Sequence, residues 1–360
     1  APPNKAIAFI KTALLRIDRA ALSAIDPLSP HPLAVKGLMQ NAAVYHATAL
    51  PMRHVRVPGM RLYDAVRRII FESISDPDLE GEVLTTLKWI AYEQWDGHAK
   101  ALAEFQCPHC ESPHATLPYD ASEGQCPECK QVIYLTDMLG FHLEMADEAA
   151  PDTIASSYML VHETLLLFTA IRYFWTNNRS VLATCLFLKD GPLSIRAQYS
   201  KLVNPIRRFL AYANENGVPV SIVGQEKTGA FCDHLDVIAA SAPVGTVFIP
   251  SHNYIREEVQ HRPPAGAPYG IDTNYGAKVF TRLTARHHAV LSIPTGLYKQ
   301  DPVVADLIGA PRIFATLPGL LSARYEGGLF PIELANNIAS LSTYPSAKVL
   351  ALFAEAMGSS

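Results

Sequence analysis

The chain lacks the features by which several large classes of protein are recognised. Its 360 residues carry 30 Lys and Arg against 34 Asp and Glu, so the net charge is -4 and no global basic signature exists. Any contact with nucleic acid must therefore rest on a local surface. No run of 18 apolar residues occurs, and the N-terminal stretch lacks the apolar core of a secretory signal. We therefore predict a protein that does not cross a membrane.

Cysteine is scarce outside one short segment. The six cysteines include only Cys185 and Cys232 away from that segment, which is not the usage of a secreted disulfide scaffold and predicts a cytoplasmic protein. The remaining four are Cys107, Cys110, Cys126 and Cys129. They form two CPxC turns separated by 15 residues, the arrangement that a tetrahedral zinc site needs. Two disulfides or four idle thiols are the alternative, which the paired turns disfavour. We predict a zinc ribbon over residues 105–131.

Several catalytic motifs are absent. The segment from Gly224 to Thr228 reads GQEKT, which is not the phosphate-binding GxxxxGK[ST] loop, so no nucleotide-hydrolysing site of that type is expected. The chain also has no GxSxG elbow, no HExxH helix and no GxGxxG after a strand. The chemistry, if any, must come from residues that are not gathered in a short motif.

The pattern of apolar residues divides the chain into two regions. Helical spacing over residues 5–26, 33–50 and 62–103 predicts a helical N-terminal region covering residues 1–104. From residue 132 to 360, apolar strands alternate with helices, which predicts an α/β domain with a mixed sheet. The predicted strands are 132–137, 140–145, 181–188, 218–223, 246–250, 277–283 and 288–294, and the predicted helices are 153–175, 196–216, 230–241, 331–341 and 345–358.

Two aspartates lie where apolar strands end. Asp137 closes VIYLTD and Asp190 closes VLATCLFLKD, so their carboxylates would converge if the two strands were neighbours. Paired carboxylates are hard oxygen ligands for Mg²⁺ or Mn²⁺. Lys227 follows the strand VPVSIV and could contact a phosphate, and Glu163 lies in an apolar helix where a carboxylate needs a partner. The alternative is that the aspartates are turn residues and Lys227 is an exposed loop residue.

The central block resembles one nuclease family. The succession VLATCLFLKDGPLS (181–194) and IRRFLAYANENGVPVSIVGQEKTGAF (206–231) is similar to the NurA nucleases, which have a strand closing in DGP-L, a helix, a G-(V/I)-P-V strand and a G-x-x-K turn. The tail GLFPIELANNIA (328–339) resembles the closing motif of the family. The resemblance spans about residues 132–345 and is strongest in the central block.

The resemblance implies a fold and an activity. It implies a ribonuclease H-like mixed sheet flanked by helices, to which the helical N-terminal region and the zinc ribbon are additions. It also implies a Mn²⁺- or Mg²⁺-dependent DNA nuclease that leaves a 5′ phosphate, forms a homodimer and works with a HerA-type hexameric ATPase. The residues carried over are Asp137, Asp190 and Asn336 as metal ligands, with Glu163 and Lys227 as further catalytic residues.

Two departures from the family leave alternatives open. The metal-binding histidine of the family falls at or next to Asn336, and the family motif Asp-Gly-Ser reads Asp137-Met138-Leu139 here. A catalytically weak subunit that binds DNA and docks on the ATPase is therefore the second hypothesis. A zinc-ribbon nucleic-acid protein unrelated to NurA is the third.

Overall fold

The computed structural model describes most of the chain. The described residues are 6–18, 43–55, 57–76, 79–96, 102–147, 149–263, 266–322 and 328–340, with isolated residues between 20 and 37, at 100 and between 348 and 352. They form a mixed α/β structure, as predicted. The helix predicted over 345–358 lies largely outside the described residues.

The N-terminal region begins with a β-hairpin, so the prediction of helices over 5–26 and 33–50 was wrong. Strand β1 (Ala6–Leu15) pairs antiparallel with β2 (Ala43–Arg53) along almost the whole of both strands. The alanines and leucines of these segments favour a helix by intrinsic propensity. The segments form strands instead because Ile10, Leu50 and Met52 are buried in the main core, and tertiary packing routinely overrides intrinsic propensity.

Two helices and two small hairpins follow. Helix α1 (Leu62–Ile74) and helix α2 (Glu82–Ala91) confirm part of the helix predicted over 62–103. The cysteine segment consists of hairpin β3 (Leu102–Phe105) and β4 (Ala115–Pro118), then hairpin β5 (Glu123–Gln125) and β6 (Val132–Tyr134). Strand β6 therefore pairs within the cysteine segment and does not open the central sheet.

The central sheet has five strands in the order β7-β8-β11-β10-β9. Strands β7 and β8 are parallel, and the other neighbours are antiparallel. The strands are β7 (Leu186–Asp190), β8 (Ser221–Glu226), β9 (Thr246–Phe248), β10 (Ala277–Arg282) and β11 (His288–Ile293). The longer helices after residue 150 are α3 (Thr153–Asn177), α4 (Val203–Glu215), α5 (Ala230–Ile238), α6 (Ala310–Thr316) and α7 (Phe330–Ala339). These bounds agree with most of the strands and helices predicted from residue 153 onward.

Short helical turns complete the described fold. They are 3-10 turns at Leu135–Leu139, Phe141–Glu144, Ala197–Leu202, Ala239–Ser241, Val304–Asp306 and Leu317–Leu320, α turns at Arg179–Leu182 and His252–Tyr254, and a π turn at Ile255–Val259. The strand predicted over 140–145 was therefore wrong.

Helices cover both faces of the sheet. Phe187 and Ile222 belong to the largest buried cluster, which continues through α3 and α4 into the cysteine segment and the N-terminal hairpin. Val223 and Leu291 belong to a second cluster with α6 and α7 on the opposite face. Among the described residues, α3 alone is long and apolar enough to cross a membrane, and 61% of its most apolar window is buried inside the fold.

A tight turn after β7 crosses over β8 at Gly224. The backbone N–H of Gly191 donates to the carbonyl oxygen of Gln225 at 2.7 Å, and Gly191 itself has a φ of 80°. A Cβ on Gly224 would lie 2.6 Å from the carbonyl oxygen of Gly191, which is closer than non-bonded atoms approach. The glycine therefore lets the turn that carries Asp190 lie flat on the neighbouring strand.

Replacement of Gly224 by alanine is expected to destabilise the protein by about 1–3 kcal/mol, because the added methyl group must displace the Gly191 turn. Gly319→Ala is the matched control, since no atom lies within 4 Å of the added Cβ. We expect the control to change the free energy of unfolding by less than about 0.5 kcal/mol. Urea denaturation of both variants measures the difference, and equal values would refute the close packing at Gly224.

Candidate active site and cysteine cluster

The four cysteines converge in the structure as the sequence predicts. Their sulfur atoms all lie within 4.8 Å of one another, with 3.7 Å between Cys107 and Cys129 and 3.8 Å between Cys110 and Cys126. Four thiolates at the usual Zn–S distance of about 2.3 Å around one ion are about 3.8 Å apart, so the donor set fits tetrahedral zinc. The cluster could therefore hold a structural metal ion such as zinc.

We expect the purified chain to contain about one zinc ion, because a closed four-thiolate site binds zinc tightly. Cys126→Ser should remove most of that zinc, and Cys232→Ser should retain it because Cys232 lies outside the cluster. Metal content measured by mass spectrometry on both variants decides the matter. Zinc lost equally from both variants, or from neither, would contradict the assignment.

A second polar group lies at the carboxyl end of β7. Asp190 pairs with Gln225 in the parallel ladder, and Lys227 follows β8 directly, so both side chains emerge at the same edge of the sheet. The ammonium of Lys227 lies 3.0 Å from Asp190 Oδ1. Asn336 on α7 donates from Nδ2 to Asp190 Oδ2 at 2.8 Å. The structure therefore brings together three residues predicted from the sequence. The side chains of Asp190 and Lys227 are each about two-fifths exposed.

Glu163 approaches the same strand end from helix α3. Its Oε2 lies 3.9 Å from the ammonium of Lys189, which in turn donates to the backbone carbonyl of Asp190 at 3.0 Å. Burial raises the pKa of Glu163, the Lys189 charge opposes this rise, and the Asp190 charge adds to it. Burial lowers the pKa of Lys189, and both carboxylates oppose that fall. Glu163, Asp190 and Lys189 therefore act on one another electrostatically.

Lys189 is the member of this site that the sequence analysis missed. It is the penultimate residue of β7, and its side chain is 5% exposed. The signal in the sequence was a charged residue inside an otherwise apolar run, since a lysine is rarely buried without a partner.

Asp137 does not belong to this site, so the expectation that it converges with Asp190 was wrong. It lies in the 3-10 turn after β6, a strand that pairs with β5 and not with the central sheet. Its two carboxylate oxygens accept hydrogen bonds from Nε and Nη2 of Arg67 at 2.9 and 2.8 Å. The backbone N–H of Tyr134 donates to the same carboxylate at 2.8 Å. Because Asp137 and Arg67 are both buried, this is a structural ion pair.

A buried group of hydrogen-bonded side chains outside this site has the connectivity of a hydrolase triad. His46 Nε2 lies 2.7 Å from Ser73 Oγ, and His46 Nδ1 lies 2.8 Å from a carboxylate oxygen of Asp76. Ser73 sits in the last turn of α1 and also shares a hydrogen bond with the hydroxyl of Tyr158. His46 and Ser73 are buried. This hydrogen-bonded group therefore joins β2, α1 and α3, and its serine is not available as a nucleophile for a substrate.

The residues around Asp190 carry oxygen atoms of the kind that hard cations prefer. Asp190 and Glu163 offer carboxylate oxygens, and Asn336 offers a carbonyl oxygen if its amide turns over, because the two ends of the amide are nearly equal in size. Among the residues that the structure describes, the cysteines are the one group of three or more His, Cys, Asp or Glu whose ligand atoms converge.

Comparisons of the chain with protein-family models, with curated proteins and with solved structures each found no match.

Proposed function

We propose that the chain is a metal-dependent DNA nuclease of the NurA type. The observation that carries the proposal is the meeting of Asp190, Lys227, Glu163 and Asn336 at one strand end. These residues come from four separate segments of the chain, and the resemblance implies a role for each of them. In this proposal the domain is ribonuclease H-like, and Asp137 has no catalytic role.

Asp190 and Glu163 would hold one Mn²⁺ or Mg²⁺ ion, with the amide oxygen of Asn336 as a further ligand. When bound, such an ion polarises a phosphodiester and lowers the pKa of a water molecule that attacks it. Lys227 is exposed enough to leave Asp190 and bind a phosphate oxygen of the DNA strand. Lys189 stays buried 3.9 Å from a carboxylate oxygen of Glu163 and donates to the backbone carbonyl of Asp190. The residues of the chain therefore supply metal binding and strand positioning.

The proposal extends to partners and location through the family resemblance alone. A NurA-type nuclease would act as a homodimer with a HerA-type hexameric ATPase, in the cytoplasm, during DNA end processing or defence against phage. The zinc ribbon would be a structural element that shares the main core, since Cys107 and Cys126 are both fully buried in it.

A catalytically weak subunit is the second candidate, and one observation favours it. Both carboxylate oxygens of Asp190 already accept from donors, Lys227 on one side and Asn336 on the other. An asparagine that donates to the aspartate is not oriented as a metal ligand. Such a subunit would bind DNA and dock on the ATPase without cutting.

Incubation with labelled single- and double-stranded DNA separates the two candidates. The nuclease should cut in Mn²⁺ or Mg²⁺ and should stop when EDTA is added, because the ion supplies the chemistry. A mobility-shift measurement on the same samples reports binding without cutting. If the DNA is bound but is not cut with any of the metal ions, the hypothesis of a weak subunit replaces that of an active nuclease.

A further inference from the structure

A cavity of about 430 Å³, its opening to solvent included, lies between α4, β10 and the loop that follows β11. The residues that line it include Arg207, His252, Lys278 and Lys299, and none of the residues proposed above to bind a metal ion or DNA. Among the described residues that line it there is no Asp and no Glu. The cavity therefore gathers three basic residues and a histidine without a carboxylate, which favours an anion as its ligand.

Both lysines of the cavity have an acidic partner outside it. Lys278 is in contact with Glu226, and the ammonium of Lys299 lies 3.5 Å from Asp306 Oδ1. Half of the Lys299 side chain is exposed, so its ammonium is free to turn towards a ligand at the mouth of the cavity. Because each ammonium carries three N–H donors, both lysines can donate to a bound anion while they keep their acidic partners.

Arg207 supplies a positive charge that no ion pair balances among the described residues. Its buried guanidinium donates to uncharged oxygen atoms, which are the backbone carbonyls of Gly270, Ile271 and Asn274 and Oδ1 of Asn204. The charge of Asp272 acts on Arg207, but Asp272 is exposed and solvent screens it. Since a buried charge without a counterion is unfavourable, an anion in the cavity would stabilise this part of the fold.

His252 provides a fixed hydrogen-bond donor in the wall of the cavity. The residue is 3% exposed, and its Nδ1 accepts a hydrogen bond from the backbone N–H of Tyr269 at 2.8 Å, so the proton of the neutral imidazole lies on Nε2. No acceptor for this proton occurs among the described residues. A buried N–H group is rarely left without a partner, which indicates that the occupant of the cavity supplies the acceptor.

The arrangement of these donors suits a phosphate group better than a carboxylate. His252, Lys278 and Lys299 come from three separate segments. A carboxylate presents two oxygen atoms in one plane, whereas a phosphate monoester presents three acceptor oxygens around a tetrahedron and carries up to two charges. We propose that the cavity is a binding site for a phosphate group, carried by inorganic phosphate or by a nucleotide. The site goes beyond the nuclease function proposed above, since it needs neither the metal ion nor the cleavage of DNA.

Calorimetric titration of the zinc-loaded full-length chain, without added Mn²⁺ or Mg²⁺, tests this inference. Inorganic phosphate and deoxyadenosine 5′-monophosphate should both bind with a Kd of about 1 mM or lower, whereas deoxyadenosine, which lacks the phosphate, should not bind. A nucleotide affinity that is at least about 10-fold higher than that of phosphate identifies a nucleotide as the ligand, and equal affinities identify free phosphate.

Three variants locate the bound phosphate. Lys299→Met removes a donor from an exposed position and should weaken binding about 3–10-fold. Lys227→Met is the matched control, because Lys227 has a similar exposure but does not line the cavity, and it should keep the affinity within about two-fold. His252→Phe keeps a ring but removes the donor, and it should weaken binding at least about 10-fold.

Three results would each overturn the proposal. They are the absence of binding at about 10 mM phosphate, equal binding of deoxyadenosine and its monophosphate, and a loss of affinity in Lys227→Met that Lys299→Met does not show. Thermal unfolding reports whether His252→Phe is folded, and the comparison of the two lysine variants still decides if it is not.

Discussion

Asp190→Asn is expected to lower the rate of DNA cleavage about 1,000-fold, equivalent to about 4 kcal/mol of transition-state stabilisation. The substitution keeps the shape of the side chain and its contact with Asn336, but it removes the charge that faces Lys227 and would hold the metal ion. Single-turnover cleavage of a labelled DNA strand in Mn²⁺ measures the effect on chemistry directly.

The informative control is the other aspartate of the sequence analysis. Asp137→Asn should leave cleavage by the folded protein within a few-fold of the unaltered chain, because Asp137 is engaged by Arg67 outside the site. A loss of activity in Asp137→Asn as large as that in Asp190→Asn would return Asp137 to the catalytic site and contradict the arrangement described above.

Asp137→Asn is instead expected to destabilise the fold by about 2–3 kcal/mol, since it leaves the buried guanidinium of Arg67 with Asp64, 3.1 Å away, as its remaining carboxylate partner. Arg67 is the centre of a contact between α1 and the cysteine segment. Its Nη2 also donates to the carbonyl oxygen of Val132 at 3.1 Å, and its Nη1 lies 3.0 Å from Nε2 of His109. Loss of the Asp137 charge therefore weakens the attachment of the whole segment. Chemical denaturation gives the change in the free energy of unfolding.

A surface pair provides the comparison for this prediction. Arg53 and Asp152 lie 3.2 Å apart with both side chains more than half exposed. Asp152→Asn should change the free energy of unfolding by less than about 1 kcal/mol, because solvent screens an exposed pair. A similar small change for Asp137→Asn would show that the buried pair contributes little to stability.

The sequence predicted the later part of the fold better than its beginning. Helix α3 and the hairpin of β10 and β11 stand close to their predicted positions, because their apolar patterns match their local structure. The hairpin of β1 and β2 was mistaken for helices, since residues rich in Ala and Leu become strands there only through pairing and packing with distant segments.

The candidate site could be predicted in part, because the apolar pattern of the strands places some of its residues. Asp190 and Lys227 end two parallel neighbouring strands, and the strand pattern alone brings such residues to one edge. Asp137 lies in the turn that follows strand β6, but the partner of that strand is β5, which no apolar pattern indicates. Lys189 was missed because a lysine in a strand is usually at the surface, and its burial depends on helix α3.

The position of a bound manganese ion tests the central claim most directly. In a crystal soaked with Mn²⁺, anomalous scattering distinguishes manganese from zinc. We expect zinc among the four cysteines and one manganese ion within about 2.3 Å of a carboxylate oxygen of Asp190, with Glu163 on its other side. Manganese at Asp137, or a strand end without manganese in crystals of a chain that cuts DNA, would contradict it.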